Sequence, residues 1–514
     1  MSKIKSIIFL IFTVGLFVTL LLKGSSGDPT VDEINNQLSK RGFAFETSQE
    51  RTRYALAKNM AAGDLTLDKF SSAALPDVSY KDGHYYSVFP PGVSFLILPA
   101  MLLGEKFGQP VIFSFAVPGL FLILTAVFTY LLALRLRLSS RVSLLVALMF
   151  SLSTIALGYS VTLYAHIFSA FFLVAGLYFA LDPENRQMSS FFVWSFYGLS
   201  VLVDYPNILV YLPIALLTLY RSFNIKTIDF AGTKKKFLLW RPSPLLYSLV
   251  FFLLILLLGL YNRVTLGGMF EMAHNYRVTD IVQGAADYHF GLDHLLTPKN
   301  AINGLYTLLF SKDRGIIYFC PILILAIAGL FQFVGESRRQ ILIFCVICYL
   351  QLMVYASFYD PWGGWSFGPR YLIAIMPLLA VMAGGLYERF RRSNIFVLFY
   401  MSVALLSSAI AFAGASTTNL IAPSAETGSE TFFFWELPKL FDVAHGSLFF
   451  NWLTGYFHIP LFAYVVAVFG LAALVYLGFF LSEIALNLTQ KYRKRSEQRY
   501  VQFENKELNV GKAV

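Results

Sequence analysis

Apolar segments recur along the whole chain and are separated by short polar connections. Most are about 17–25 residues long, the length that an α-helix needs to cross a bilayer. We predict about 12 membrane-spanning helices, and the apolar segments that define them are 6–22, 109–134, 142–157, 162–181, 191–203, 207–220, 245–260, 316–333, 341–358, 371–387, 395–413 and 458–481. The pattern predicts an all-α polytopic membrane protein with no large soluble domain.

The distribution of charge predicts the orientation of these helices. Of the 514 residues, 57% are hydrophobic and 14% are charged, with a formal net charge of +10. The basic residues gather in alternate connections, around Arg135–Arg141, 221–241, 389–392 and 491–495. Lys and Arg concentrate in cytoplasmic connections of membrane proteins. The positive charge therefore indicates topology, with both termini cytoplasmic, and does not indicate a nucleic-acid partner.

Three longer polar segments lie on the opposite, extracytoplasmic side of this topology: 24–108, 261–314 and 414–458. They belong to one membrane domain over 1–490, which is followed by a basic cytoplasmic tail over 491–514. In the first segment, residues 48–62 have the pattern of an amphipathic helix. The apolar stretch 93–103 is too short to cross a bilayer, so it predicts an interfacial or re-entrant helix.

The polar connection 358–371 has an unusual composition. Its sequence is FYDPWGGWSFGPRY, with three glycines, two prolines and two tryptophans. Glycine and proline fix special backbone geometry, and tryptophan favours the water–lipid boundary. Arg370 carries a planar cation that matches phosphate oxygens. The stretch is either an interfacial loop with an Asp360–Arg370 pair or part of a binding site.

A second motif, KDGHYYSVFPPG, occupies 81–92. Asp82 and Gly83 predict a turn that presents Tyr85 and Tyr86, and the two prolines then start the short helix. This stretch is either an amphipathic anchor or the place where a lipid-borne substrate meets polar groups. Ionisable residues at membrane depth are candidates for function, and on this topology they collect at the outer side: Glu46, Glu50, Asp82, His166, Asp204, Asp313, Arg314, Asp360 and Arg370.

These motifs resemble those of the GT-C membrane glycosyltransferases, in particular the protein-mannosyltransferase-like (family 39-like) branch that uses polyprenyl-phosphate sugars. The similar residues are the motif 81–92, Asp313-Arg314-Gly315, and WGGWSFGPRYL at 362–372. The resemblance runs from the first helix to about residue 377. It implies a GT-C fold and an inverting hexosyl- or pentosyltransferase of the cell envelope, in a prokaryotic plasma membrane with its active site outside. The acceptor would be a glycan, a lipid or a protein.

The resemblance also implies roles for particular residues. An acidic pair after the first helix usually serves as the base, and here Gln49 replaces its first member while Glu50 matches the second. Glu50 is therefore the first candidate base, followed by Glu46 and then by Asp28 or Asp32, with Asp82 as a further catalytic candidate. The candidates for the donor phosphate are Arg370, Arg314, Lys312, His166, Tyr85 and Tyr86. The candidates for the sugar or acceptor are Asp204, Asp360, Trp362 and Trp365.

The residues leave several alternatives open. His166 could bond a neighbouring carbonyl, Asp204 could pair with an arginine, and Asp313 with Arg314 could form a simple salt bridge. Glu271, His274 and His289 are too scattered to define a metal site, so dependence on a divalent metal stays open. The rival functions are a flippase or transporter of a lipid-linked saccharide, which usually shows inverted repeats, and a catalytically inactive scaffold.

Overall fold

The apolar segments form packed helices in the computed structural model, which describes residues 2–36, 45–184, 186–221, 223–230, 233–240, 243–278, 296–424, 428 and 447–510. Each of the predicted apolar segments is mainly helical, although 142–157, 207–220 and 316–333 are each divided into two shorter helices. Seven helices in the described ranges are long and apolar enough to cross a membrane. Five shorter apolar helices accompany them. The expected polytopic, helical membrane protein is confirmed, although five short strands also form, and the number of crossings stays a prediction.

The first half of the chain contains most of the short elements. In chain order they are α1 (Lys3–Leu21), α2 (Val31–Asn36), α3 (Ser48–Ala61), α4 (Ser71–Ala74), β1 (Val78–Lys81), β2 (His84–Ser87), α5 (Gly92–Lys106), α6 (Pro110–Arg135), α7 (Ser140–Leu152), α8 (Ala156–Tyr159), α9 (His166–Ala180), α10 (Gln187–Val203), α11 (Asn207–Val210), α12 (Leu212–Tyr220), β3 (Phe223–Phe230) and β4 (Thr233–Trp240).

The second half begins with the long apolar helix α13 (Ser243–Leu266). It is followed by β5 (Arg277–Val278), α14 (Ala301–Phe310), α15 (Ile316–Phe319), α16 (Leu325–Leu330), α17 (Gly335–Ala356), α18 (Met376–Phe390), α19 (Asn394–Ser416), α20 (Leu448–Phe457) and α21 (Leu461–Val510). Short 3₁₀ turns connect several of them, including Arg370–Ile375 immediately before α18.

The first polar segment is folded against the bundle. The predicted helix over 48–62 is confirmed as α3, which ends before Gly63 in the left-handed region (φ +78°). The expected amphipathic pattern is wrong in one respect, because Arg51 and Arg53 are buried together with Tyr54. Helix α3 packs on α5, and most of its residues are buried by protein.

The predicted turn at Asp82 and Gly83 is confirmed. Both residues have positive φ values, +50° and +86°, and they connect β1 to β2 in a two-residue hairpin. Such a turn matches the twist of the two strands. Strand β5 adds to the other edge of β1, so this small sheet joins the first and second polar segments. The short apolar helix also forms, as the 15-residue α5, which is still below the roughly 20 residues of a simple crossing.

Helix α1 connects two distinct ends of the molecule. At its C-terminal end, the Nζ of Lys23 lies 2.5 Å from Oε1 of Glu46 in the first polar segment. At its N-terminal end, the hydroxyl of Ser6 lies 3.4 Å from that of Ser140 at the start of α7. The two positions are 17 residues apart, which corresponds to roughly 25 Å at the rise of an α-helix. We refer to the Lys23 end as the cavity face, and to the Ser6 end as the opposite face.

Candidate functional site

A cavity of about 950 Å³ opens on the cavity face. Its walls come from elements far apart in the sequence: the start of α3, the end of β2, the start of α9, the turn between α10 and α11, and the connection after α17. The wall carries four acidic and four arginine side chains: Glu46, Asp77, Asp204, Asp360, Arg51, Arg53, Arg277 and Arg370. The folded chain therefore concentrates its unusual polar residues around one space.

Arg370 is positioned by the glycine-rich connection. Gly363 and Gly364 both have positive φ, +76° and +61°. A Cβ on Gly363 would lie 2.8 Å from Nε of Arg370, so only glycine lets the backbone pass so close to this side chain. Arg370 is 5% exposed, and its Nε and Nη1 have no hydrogen-bond partner among the described residues. This buried cation has donors available for a ligand.

Arg53 is a second buried cation beside the first. Its guanidinium carbon lies 6.0 Å from the ring centroid of Tyr164, and that of Arg370 lies 5.0 Å from the same ring. Neither guanidinium lies within 4.0 Å of a carboxylate in the part of the chain that the structure describes. Nε of Arg53 also lacks a hydrogen-bond partner there. Burial lowers the pKa of Arg53 to about 10, so the group is still charged at neutral pH.

Asp204 faces these cations from the turn between α10 and α11. Its Oδ2 accepts a 2.7 Å hydrogen bond from the hydroxyl of Tyr355 and lies 4.0 Å from Nδ1 of His166. Its side chain is 21% exposed, on a cavity-lining residue. No lysine or arginine lies within 4.0 Å of it in the described ranges. The sequence alternative of an Asp204–arginine ion pair is therefore not what the structure shows.

The other cavity acids have partners of their own. Asp77 lies 3.3 Å from Arg277 and accepts a 2.6 Å hydrogen bond from Ser48. Asp360 accepts the N–H of Gly363 at 2.9 Å, and burial raises the pKa of its carboxyl. The sequence alternative of a direct Asp360–Arg370 pair is not seen at 4.0 Å among the described contacts. Asp360 instead fixes the turn that precedes Arg370.

The two first-choice base candidates occupy different environments. Glu46 lines the cavity, where its carboxylate is held by Lys23 at 2.5 Å and by the N–H of Asn419 at 2.9 Å. Glu50 is 0% exposed and does not line the cavity. Its Oε2 accepts the N–H groups of Glu46 and Thr47, at 2.8 and 3.0 Å. Together with the Thr47 hydroxyl this is a capping box, which satisfies the free N–H groups at the start of α3.

The remaining sequence candidates divide between cavity wall and support. His166, Trp362 and Trp365 line the cavity. Arg314 does not, because it is 0% exposed and its guanidinium donates to backbone carbonyl oxygens of Trp362, Gly364, Ile421 and Asp313. The structure leaves four more candidates outside the cavity wall: Lys312 on an exposed surface, Asp82 in an exposed hairpin turn, and Tyr85 and Tyr86 in β2.

Asp28 and Asp32 also lie away from the cavity wall. Asp28 pairs with Lys58 at 2.6 Å on the surface, and Asp32 is in the first turn of α2. Of the residues considered as metal ligands, His289 lies outside the described residues, and Glu271 accepts a hydrogen bond from the hydroxyl of Tyr276 at 3.3 Å. Within the described ranges no three His, Cys, Asp or Glu side chains are grouped to hold a metal ion.

Sequence reasoning missed several residues of the wall, above all Arg53, Asp77, Arg277 and Tyr355. Arg53 carries a weak signal, because it is a charged residue within the predicted amphipathic helix 48–62. Asp77 lies in a polar stretch with no distinguishing pattern. Arg277 donates to Asp77, 200 positions earlier, and to the hydroxyl of Tyr359. Tyr355 is inside an apolar segment, where a tyrosine is not distinguished from ordinary core.

No protein-family model matches the chain, and no curated protein matches it. Among solved structures, the chain is similar to ArnT from Cupriavidus metallidurans in the apo state, with a TM-score of 0.49, 14% identity, and 95% of this chain and 78% of that one covered. The same protein bound to undecaprenyl phosphate gives a TM-score of 0.47 and 13% identity, with 94% and 76% covered.

The chain is also similar to the oligosaccharyltransferase of Archaeoglobus fulgidus in the apo form, with a TM-score of 0.41 and 13% identity. That match covers 87% of this chain, which spans 60% of the length of the archaeal protein. Similarity at this level is a general likeness of helical architecture.

Proposed function

We propose that this protein is a GT-C membrane glycosyltransferase that moves a sugar from a polyprenyl-phosphate-linked donor to a hydroxyl of an acceptor. The observation that carries the proposal is the pair of buried guanidiniums around Tyr164, Arg53 and Arg370, which have unpaired N–H donors and face the carboxylate of Asp204. Two cations without carboxylate partners suit an anionic group, and buried N–H donors that stay unpaired are costly.

The donor phosphate is assigned to the two arginines. Nε and Nη1 of Arg370 are two buried N–H donors on different edges of the guanidinium, and both are assigned to the phosphate oxygens. Nε of Arg53 adds a third donor. As the sugar leaves, negative charge grows on the phosphate, and fixed donors in a water-poor site stabilise that charge. The apolar cavity residues Ile208, Leu209 and Val354 provide a surface for the first isoprene units.

Asp204 is proposed as the base in place of Glu50. A base has to reach the acceptor hydroxyl and accept its proton. Asp204 lines the cavity and is free of a tight ion pair, whereas Glu50 is enclosed in a helix cap and Glu46 is held by Lys23. The acceptor oxygen then bonds to the anomeric carbon as the carbon–oxygen bond to phosphate breaks, with its proton on Asp204 and the electron pair on phosphate. A single displacement inverts the anomeric centre.

The site is proposed to face the extracytoplasmic side of a prokaryotic plasma membrane. Arg141, Arg391 and Arg392 lie together at the opposite face, and clustered arginines mark the cytoplasmic side of a membrane protein. The cavity face would then meet lipid-linked sugars outside the cell. The acceptor would be a glycan, lipid or protein of the envelope.

The test uses the purified protein in nanodiscs with a panel of polyprenyl-phosphate sugars and an envelope extract as the acceptor source. Release of polyprenyl phosphate is measured for wild type, Arg370→Gln and the control Arg389→Gln, an exposed residue outside the cavity. Loss of a charged donor pair predicts a fall in kcat/KM of roughly 10- to 100-fold for Arg370→Gln alone. Equal release by both variants, or donor binding by wild type without any release, would overturn the proposal.

A further inference from the structure

A groove of about 490 Å³ lies on the opposite face, away from the cavity just described. It is formed by α1, the start of α7 and the middle of α21. Its wall is mostly apolar and includes Phe9, Leu144, Leu474, Val475, Gly478 and Phe479. Because Leu474 is 61% exposed on the helix surface, the groove is open towards the lipid side of the bundle.

A basic pocket of about 290 Å³ adjoins one end of this groove. Arg141 lines both spaces, and Arg391 and Arg392 line the pocket. Glu483 lies between Arg141 and Arg391, 3.8 Å from each. The combined space is therefore apolar along its length and cationic at one end. This arrangement is complementary to an amphiphile with an apolar chain and an anionic headgroup.

The balance of charge in the pocket favours an anion. Arg391 also pairs with Glu388 at 3.1 Å, so two carboxylates oppose three guanidiniums. Arg392 has no carboxylate within 4.0 Å in the described part of the chain. A single phosphate bound by Arg141 and Arg392 would neutralise the excess. A choline or amine in the headgroup would place a second cation beside the same arginines, so it would add no favourable charge interaction with them.

We propose that this groove and pocket bind an anionic glycerophospholipid, with one acyl chain in the groove and its phosphate on Arg141 and Arg392. A bilayer phospholipid fits because the groove is open to the lipid side and its cationic end lies at helix ends, with Arg141 in the first turn of α7 and Arg391 and Arg392 between α18 and α19. The site is roughly 25 Å of helix from the Lys23–Glu46 contact, so it is separate from the sugar-transfer cavity. A lipid there would hold α1, α7 and α21 together.

The groove offers a matched pair of variants. A Cβ built on Gly478 or on Gly470, both in α21, meets no atom within 4 Å, so each glycine accepts a larger side chain. Only Gly478 lines the groove. Gly478→Leu is expected to fill the space for the acyl chain, whereas Gly470→Leu gains the same helix propensity and leaves the groove open.

Native mass spectrometry of the delipidated full-length protein is the direct test, with phosphatidylglycerol, phosphatidylcholine and undecaprenyl phosphate as probes. We expect phosphatidylglycerol to bind wild type most tightly and its apparent Kd to rise at least fivefold in Gly478→Leu, with Gly470→Leu unchanged. The double variant Arg141→Gln/Arg392→Gln should lose the preference for phosphatidylglycerol over phosphatidylcholine, and Arg389→Gln should keep it.

Three results would overturn the proposal. These are equal binding of the two phospholipids by wild type, equal loss in both glycine variants, and occupancy of the groove by undecaprenyl phosphate alone. Because the readout is lipid binding at the opposite face, it does not depend on sugar transfer. A melting curve of each variant in the same detergent separates loss of the site from loss of the fold.

Discussion

Glu50 illustrates how one side chain can match a catalytic pattern and have a different structural position. Its carboxylate receives two backbone N–H groups of its own helix start, and its other oxygen is buried without a partner among the described residues. Burial, followed by the nearby Glu46 charge, raises the pKa of the Glu50 carboxyl to about 7 from an ordinary 4.5. This raised pKa should make the stability of the folded protein depend on pH.

The sign of that dependence follows from proton binding. Between pH 4.5 and about 7, the folded protein keeps a proton on Glu50 that the unfolded chain has lost. The free energy of unfolding therefore falls as the pH rises through this window. We predict that the Tm of wild type drops between pH 5 and pH 7.5, and that Glu50→Gln removes most of this drop, as measured by scanning fluorimetry. Glu33→Gln, at an exposed position, should keep the wild-type slope, and the same slope in Glu50→Gln would contradict the assignment.

The connection after α17 is the element that positions the proposed phosphate site. Asp360 accepts the N–H of Gly363, Arg314 donates to the carbonyl oxygens of Trp362 and Gly364, and the turn so fixed passes beside Arg370. Composition alone identified this stretch as unusual. Its geometry was not predictable, because the anchoring carbonyl contacts come from Arg314, about 50 residues earlier in the chain.

Two adjacent glycines provide a test of this element. Gly363 and Gly364 both have positive φ, so alanine at either position costs roughly 1–2 kcal/mol of backbone strain. A Cβ at 363 would also displace Arg370, whereas a Cβ at 364 meets only Oδ2 of Asp360, at 3.6 Å. We predict that Gly363→Ala weakens donor binding at least tenfold more than Gly364→Ala does, measured by titration with a polyprenyl-phosphate sugar. Equal losses would mean that the turn does not position Arg370.

At the level of secondary structure, the sequence predicted those elements whose formation depends on neighbouring residues in the chain. Apolar length predicted the helices, because the bilayer sets that length, and Asp82-Gly83 predicted the hairpin turn. The patterns did not predict β3 and β4, which form in the basic connection between α12 and α13. Nor did they predict that β5 pairs with β1 across the chain, since that contact depends on how distant segments pack.

On the scale of the whole molecule, the distribution of polar residues predicted that the chemistry gathers on one face. Glu46, His166, Asp204, Asp360 and Arg370 do meet around one cavity. Which acid is accessible could not be predicted, because that depends on partners such as Lys23 and Tyr355, which lie inside or beside apolar segments.

The orientation in the membrane can be tested by labelling. Cys320 and Cys348 are buried and Cys345 is partly buried, so a variant with these three replaced by serine gives a clean background. We predict that Asp82→Cys, in the exposed hairpin of the cavity face, reacts with a membrane-impermeant maleimide in intact cells. Ser496→Cys in the basic end of α21 should react only after permeabilisation, and the reverse pattern would place the cavity on the cytoplasmic side.

We propose that the cavity performs sugar transfer with Asp204 as its base. The most direct measurement compares donor binding with the single-turnover rate for wild type, Asp204→Asn and the exposed control Asp82→Asn, in nanodiscs with a working donor. General-base loss costs roughly 100- to 10,000-fold in rate. We predict such a fall for Asp204→Asn with donor affinity kept within about threefold, a margin well below one charged hydrogen bond, and wild-type behaviour for Asp82→Asn. A wild-type rate in Asp204→Asn would mean that Asp204 is not the base.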